Sequence, residues 1–244
     1  MKMTNRLPSN WKELQNLVAK YFNEAGYIAE TPYEIELVRG KKEVDVFVKA
    51  PNELGKEIII ECKYWDTNIP QNEIHALRTV VNDAGVSLGI IISKVGFQEG
   101  AFKAIVKSNV ELKTWDEFLE MIFDKWLLER MKFLKIKRSP LAVYLDPLDV
   151  PAEQLSKEQK EKYLKKVLEY ARMDGEVMFM RKEIFWEKGT KCKLLTAFDN
   201  IEDYFEYLSS EIEKAIECFE SIFKDIEIPQ EKFQMSDNYL FWNI

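Results

Sequence analysis

EVDVFVKAPNELGKEIIIECKYW, residues 43–65, reads as two apolar strands joined by a turn. The connection APNELGK carries Pro51, Asn52 and Gly55, all turn formers. A register symmetric about Glu53 sets Val48 opposite Ile58, Val46 opposite Ile60 and Val44 opposite Cys62. These residues make one continuous apolar face, and a one-residue slip would expose the whole set. The same register puts Asp45 directly opposite Glu61 on the other face, with Lys63 two residues further along. Opposed residues of an antiparallel pair have Cβ atoms about 4.5–5.5 Å apart, and like charges there destabilise the pairing. Two facing carboxylates in such a strand pair need a physical reason.

A divalent cation between them is one, and an oxygen-only ligand set at close range suits Mg²⁺ or Mn²⁺. Lys63 projects from the same strand face as Glu61. Anionic neighbours keep its ammonium protonated, so an electrostatic or water-orienting role suits it better than that of a simple general base. A metal with a lysine beside it suits phosphodiester hydrolysis. The plainer alternative is a solvated sheet face with Lys63 as a salt-bridge partner. The matched register and the flanking apolar runs weigh against it. Cys62, on the apolar face, reads as a small buried hydrophobe rather than a nucleophile.

Outward from this hairpin, residues 9–26 predict an amphipathic helix. Ser9 or Asn10 caps it, Trp11, Leu14, Leu17, Val18, Tyr21 and Phe22 form its apolar face, and Gly26 ends it. A strand is expected over Tyr33–Val38. A second helix is expected over 70–84, with Ile74, Leu77, Val80 and Val81 facing inward. VSLGIIIS (86–93) predicts a buried strand, 96–109 a short helix, VELKT (110–114) a strand, and Trp115 onward a helix to about Lys132. The order helix, three strands, helix, strand, helix, strand is that of an α/β sandwich. On the second helix, Gln71, His75, Arg78 and Asn82 share one polar stripe. That stripe reads either as a solvated face or as a lining of a substrate groove.

Asp45, fifteen residues, then Glu61-Cys62-Lys63 resembles the PD-(D/E)XK nuclease signature, with Val44 where a proline is usual. The surroundings resemble the Mrr-like branch, the type IV restriction endonuclease group. The carrying features are EAGYIAE before the site, IIIECKYW at it, a helix opening at Gln71, GIIISKVGFQEGAFKAI, and VELKTWDEF, together covering residues 9–120. The resemblance implies a restriction-endonuclease-like αβββαβ core with a mixed central sheet, acting as a Mg²⁺-dependent DNA endonuclease with Mn²⁺ as an alternative ion. It implies Asp45 and Glu61 as metal ligands, the backbone carbonyl of Cys62 as a third, and Lys63 as the catalytic lysine. Glu13 matches the place of an accessory acidic residue and Gln71 that of a glutamine near the active site. His75 stands where this branch often has lysine, and with Arg78 it is a candidate nucleic-acid contact.

The remaining sequence sets bounds on these expectations. Net charge is −7, and neither half is basic: residues 1–122 hold 15 Lys/Arg and 18 Asp/Glu, a balance of −3, which leaves −4 for the rest. Such a balance argues weakly against nucleic acid as partner, although it does not describe a local site. Local cations cluster at Arg130, Lys132, Lys135, Lys137 and Arg138, as a guide for a phosphate backbone or as a helix end with cations at its negative pole. Three scattered cysteines and one histidine argue against a disulfide framework and most zinc schemes. With no apolar leader and no membrane-length run, a cytoplasmic protein away from membranes is expected.

Domains are expected at 1–122 (nuclease), 123–152 (connecting helix end and a proline-bearing linker) and 153–244. The last reads as a mainly helical region with a small β element over 176–198, Gly189 in its turn, and a long helix over 199–225. That half offers a homodimer interface, or a site for a protein or small-molecule regulator. DNA restriction or antiphage defence is the leading role. A regulated nuclease effector and a non-catalytic interaction module on a nuclease fold are the alternatives, and the intact Asp45, Glu61 and Lys63 argue against the last.

Overall fold

The computed structural model describes residues 2–51, 53, 55–186, 197–229 and 231–233. Contacts divide the chain into two compact units, one of Arg6–Glu129 and one of Met1–Asn5 with Arg130–Ile244. In the first unit the order is α1 (Trp11–Glu24), β1 (Ile28–Glu30), β2 (Tyr33–Leu37), β3 (Gly40–Val44), β4 (Val46–Ala50), β5 (Lys56–Lys63), α2 (Gln71–Ala84), β6 (Leu88–Ser93), α3 (Glu99–Ala104), β7 (Val110–Thr114) and the start of α4 (Trp115–Lys137). Five strands form one mixed sheet in the order β1-β4-β5-β6-β7. β1, β4 and β5 pair antiparallel, while β5, β6 and β7 run parallel.

The β4–β5 register agrees with the expectation, pairing Val46 with Ile60 and Val48 with Ile58. The ladder then ends two pairs early, so Asp45 and Glu61 are not a strand pair as expected. Val44 pairs with Tyr33 in a separate two-stranded ribbon, β2–β3, and does not face Cys62 in a ladder. The reason is local: the backbone bends at Asp45, whose Oδ2 accepts the Cys62 N–H at 2.7 Å. A side chain thus takes the amide that a continuing strand would have used. Both hairpin faces are buried: Phe47 and Ile59 lie in the apolar cluster with Ile74, Leu77 and Val81 of α2, and Val46, Val48 and Ile60 on the other face are buried as well. This burial on two sides is what parallel and central strands require.

α1 begins where Asn10 accepts the Glu13 N–H on its side chain. Leu14, Leu17, Val18, Tyr21 and Phe22 are buried as the periodicity predicts, but Trp11 in the first turn is 60% exposed. Gln15, a polar residue, is buried with them at 6% exposure. α2 packs so closely on β6 that a Cβ added at Gly89 would sit 2.6 Å from Val81 Cγ2.

The second unit takes up the rest of α4, then α5 (Ser139–Leu145), a 3₁₀ turn (Ala152–Gln154), α6 (Lys157–Met178), α7 (Glu183–Trp186) and α8 (Ile201–Ile222). Ser139–Leu145, expected to be linker, is helical because Pro140 sits in the first turn, where its missing N–H is not needed. The small β element expected over 176–198 is not formed in its described part. There α6 runs on to Met178 and α7 follows, while Gly189 and residues 187–196 lie outside the described residues. Val177 on α6, Met180 between the helices and Phe185 on α7 are buried. α8 buries Tyr204, Phe205, Leu208, Ile212, Ala215 and Phe219 as its period predicts. Aromatic rings fill this core, with Tyr144 stacked on Phe219 at 5.5 Å and Tyr163 edge-on to Phe223 at 5.4 Å. Among the described residues no helix is long and apolar enough to cross a membrane.

Candidate active site

The bend between β3 and β4 holds Asp45 at the end of the sheet, where two elements hydrogen-bond its carboxylate. Gln15 Nε2 of α1 donates to Oδ1 at 2.7 Å, and the Cys62 N–H of β5 donates to Oδ2 at 2.7 Å. Burial, together with the neighbouring charge of Glu61, raises the Asp45 pKa, against the lowering effects of Cys62 N–H, Lys63 and Gln15. Glu61 and Lys63 stand on β5, two residues apart on one face. Lys63 Nζ donates to Glu61 Oε1 at 2.9 Å and lies 3.0 Å from Glu73 Oε2 on α2. Burial works to lower the Lys63 pKa, but hydrogen bonds and charge from Glu61 and Glu73 outweigh it and raise the pKa. Lys63 therefore stays an ammonium. Burial pushes the Cys62 thiol well above its usual range, which leaves it inert as a nucleophile.

The other expected residues are placed differently. The Glu13 carboxylate is taken by Ser9 at the start of α1, where Ser9 N–H donates at 2.7 Å and the Ser9 hydroxyl also donates. Those bonds lower its pKa. Gln71 is exposed at the first turn of α2, close against Gly100. Arg78 donates to the Ala104 carbonyl at the end of α3 at 3.0 Å, a structural use of the guanidinium. His75 is exposed on α2. In the basic run, Arg138 is paired bidentately with Asp174 at 2.6 and 3.0 Å, and Lys137 with Ser209 and Glu213.

Two residues that touch the cluster escaped the sequence reading, Gln15 and Glu73. Gln15 left a trace, as an amide set among Leu14, Leu17 and Val18 on the apolar face. Glu73 left none, because its contact with Lys63 depends on how α2 lies across the end of β5.

Among the described residues no group of three or more His, Cys, Asp or Glu side chains is arranged to hold a metal. A cation here would rest on two carboxylates, Asp45 and Glu61, with the Cys62 carbonyl and water. This donor set is hard oxygen throughout and fits Mg²⁺ or Mn²⁺. The charge count also fits. Asp45, Glu61 and Glu73 carry three negative charges against the one positive charge of Lys63, which leaves −2 in a half-buried cluster.

Residues 7–122 match the Mrr catalytic family, described as restriction endonuclease. The match is consistent with an Mrr-like PD-(D/E)XK nuclease segment, and the five-stranded mixed sheet is restriction-endonuclease-like. No curated protein matches the chain. One similar solved structure is a protein of unknown function designated AF1548, at 16% identity, spanning 87% of this chain and 98% of its own, with a TM-score of 0.42. Another is a repair endonuclease from Pyrococcus abyssi, at 17% identity, spanning 47% of this chain and 50% of its own, with a TM-score of 0.31.

Proposed function

We propose that the protein is a Mg²⁺-dependent DNA endonuclease that hydrolyses phosphodiester bonds, serving in restriction or defence against foreign DNA. The observation that carries the reading is Lys63 held at 2.9 and 3.0 Å between Glu61 and Glu73, with Asp45 near enough to Glu61 for its charge to act on it. The match of residues 7–122 to the restriction endonuclease family supports a nuclease. When bound by Asp45, Glu61 and the Cys62 carbonyl, a divalent cation supplies Lewis acidity toward the phosphate and toward an attacking water. The rest is the work of side chains. Gln15 and the Cys62 N–H fix both Asp45 oxygens, so this carboxylate cannot rotate away. Glu73 retains the Lys63 ammonium when Glu61 turns to a cation. Lys63 then stands where it can orient water and offset charge developing on the phosphate oxygens.

The test is plasmid cleavage with Mg²⁺, Mn²⁺ or EDTA by the wild type, Asp45→Asn and Lys63→Ala. Metal-dependent nicking or linearisation, lost in both variants, is expected. Cleavage that survives both substitutions would sink the assignment.

A second reading, a regulated effector, draws on one observation. In the helical unit a cavity of about 350 Å³ is lined by Phe179, Met180, Phe185, Tyr204 and the Arg172–Glu176 pair. Glu176 Oε2 is buried there without a hydrogen-bond partner. Wild-type protein that is silent on methylated, unmethylated and single-stranded DNA would shift the weight to this reading.

A further inference from the structure

The chain leaves β5 and β6 at their carboxyl ends through two loops, residues 64–70 and 94–98, that flank Lys63. Backbone bonds lace them together: Ile69 N–H donates to the Gly96 carbonyl at 2.9 Å, Gln98 N–H to the Ile69 carbonyl at 3.0 Å, and Lys94 N–H to the Lys63 carbonyl at 3.0 Å. Gly96 adopts φ +140°, a conformation that side chains rarely allow, and the Ser93 hydroxyl bonds both its N–H and its carbonyl at 3.0 Å. The result is a fixed ledge beside the candidate catalytic lysine.

Aromatic rings and a cation occupy that ledge. Trp65 is 40% exposed, whereas Trp115 and Trp126 are buried in the core. An exposed tryptophan alone means little. Trp65 is singled out because Lys63 Nζ lies 5.2 Å from its ring centroid, so one part of the indole touches the reacting centre and the rest faces solvent. Lys94 Nζ lies 4.3 Å from the Tyr64 ring and donates to Asp66 Oδ1 at 2.6 Å. Asp66 is itself 88% exposed, so this ion pair is a weak one that an incoming phosphate can displace.

We infer that this ledge receives an unpaired nucleotide of the substrate strand next to the scissile phosphate. Trp65 stacks on its base, and Lys94 trades Asp66 for a backbone phosphate. The inference rests on the nuclease reading and narrows its substrate class to DNA that is single-stranded or splayed at the cleavage point. An intact duplex keeps its base faces stacked on one another and offers an indole only edges, whereas an unstacked base offers a whole face.

The test uses full-length Asp45→Asn protein in EDTA, so that binding is read without cleavage. Three labelled DNAs share one sequence: a single strand, a duplex, and a fork whose unpaired arm carries 2-aminopurine. Anisotropy gives affinity, and quenching of the 2-aminopurine reports stacking. Adding Trp65→Ala is expected to weaken the single strand and the fork by roughly 5- to 150-fold, to move the duplex less than about twofold, and to abolish the quenching. Trp65→Phe restores part of both signals, and Lys94→Ala reduces the salt dependence of binding by about one phosphate contact. Equal losses on all three DNAs, or quenching unchanged in Trp65→Ala, would overturn the ledge. Should Trp65→Ala fail to fold, Trp65→Phe and Lys94→Ala decide alone, and unchanged quenching and salt slope would overturn it equally. Cleavage of the same DNAs by the wild type with Mg²⁺ is scored separately. No cleavage with Trp65-dependent stacking intact counts against an unregulated nuclease and toward the regulated effector, and keeps the ledge as a DNA contact. Cleavage with no effect of Trp65 or Lys94 refutes the ledge and keeps the nuclease.

Discussion

Replacing Lys63 with Met keeps the aliphatic stem and removes the cation bonded to both Glu61 and Glu73. Lys63 Nζ lies 2.9 and 3.0 Å from their oxygens, and its side chain is 14% exposed against 24% for each carboxylate. At about 3 Å and an effective dielectric of about 20, each contact is worth roughly 5 kcal/mol before desolvation. Losing one partner of a well-buried pair costs about 3–5 kcal/mol. The residual exposure of both carboxylates screens the interaction and brings the expected loss to about 2–3 kcal/mol. The raised Lys63 pKa sets the pH range. Its stabilisation is fully present below the ordinary lysine value of 10.5 and is lost as pH rises through the higher folded value. At pH 7 the Met variant should therefore show the whole deficit. Urea unfolding followed by tryptophan fluorescence, in EDTA, measures it. Mg²⁺ should shrink the deficit by neutralising the freed carboxylates. A difference below about 0.5 kcal/mol, or one that Mg²⁺ leaves unchanged, would refute the claim that Lys63 balances this cluster.

Other perturbations follow from packing. Gly89→Ala would press its Cβ to 2.6 Å from Val81 and 3.2 Å from Leu77, which should cost about 1–3 kcal/mol. The same exchange at Gly175, within α6 and with nothing inside 4 Å, should stabilise by about 0.5–1 kcal/mol. Thermal unfolding that moved both variants in one direction would contradict this. Arg138→Met leaves Asp174 without its bidentate partner and should destabilise the helical unit by about 3–5 kcal/mol. Most of that should return in Arg138→Met/Asp174→Leu, as read by circular dichroism on heating.

The hairpin register was legible because alternation and the turn chemistry of residues 50–56 agree on one pairing, and β-strand faces leave little room for slippage. α1, α2 and α8 were legible from their period alone. The bend at Asp45 was not, since the apolar alternation runs through it without a glycine or proline to mark it. Only the side-chain bond to the Cys62 amide ends the ladder there. Residues 176–186 misled for the opposite reason, because a run rich in Phe, Met and Trp favours strand locally while helical packing decides it. At the candidate site, Glu61 and Lys63 were readable as neighbours from their spacing on one strand. Glu73 required the position of a helix that no local pattern encodes. Glu13 shows the converse, since a suitable residue type on the expected helix is occupied by its own N-terminal turn.

The two hydrogen bonds that hold Asp45 bear on how this position can drift over generations. Its carboxylate both closes the end of a sheet and supplies charge, and an asparagine could do the first task but not the second. Its amide could still accept from Cys62 and, with Gln15 turned over, donate to it. Alanine would leave the Cys62 amide unmet, at a cost of about 1–3 kcal/mol. On the proposed nuclease reading, a descendant freed from catalysis is thus expected to carry asparagine rather than a small residue at this place. On that reading, shape alone at position 45 says nothing of activity, and retention of the acid against the nearby Glu61 would mark a copy still under selection for chemistry.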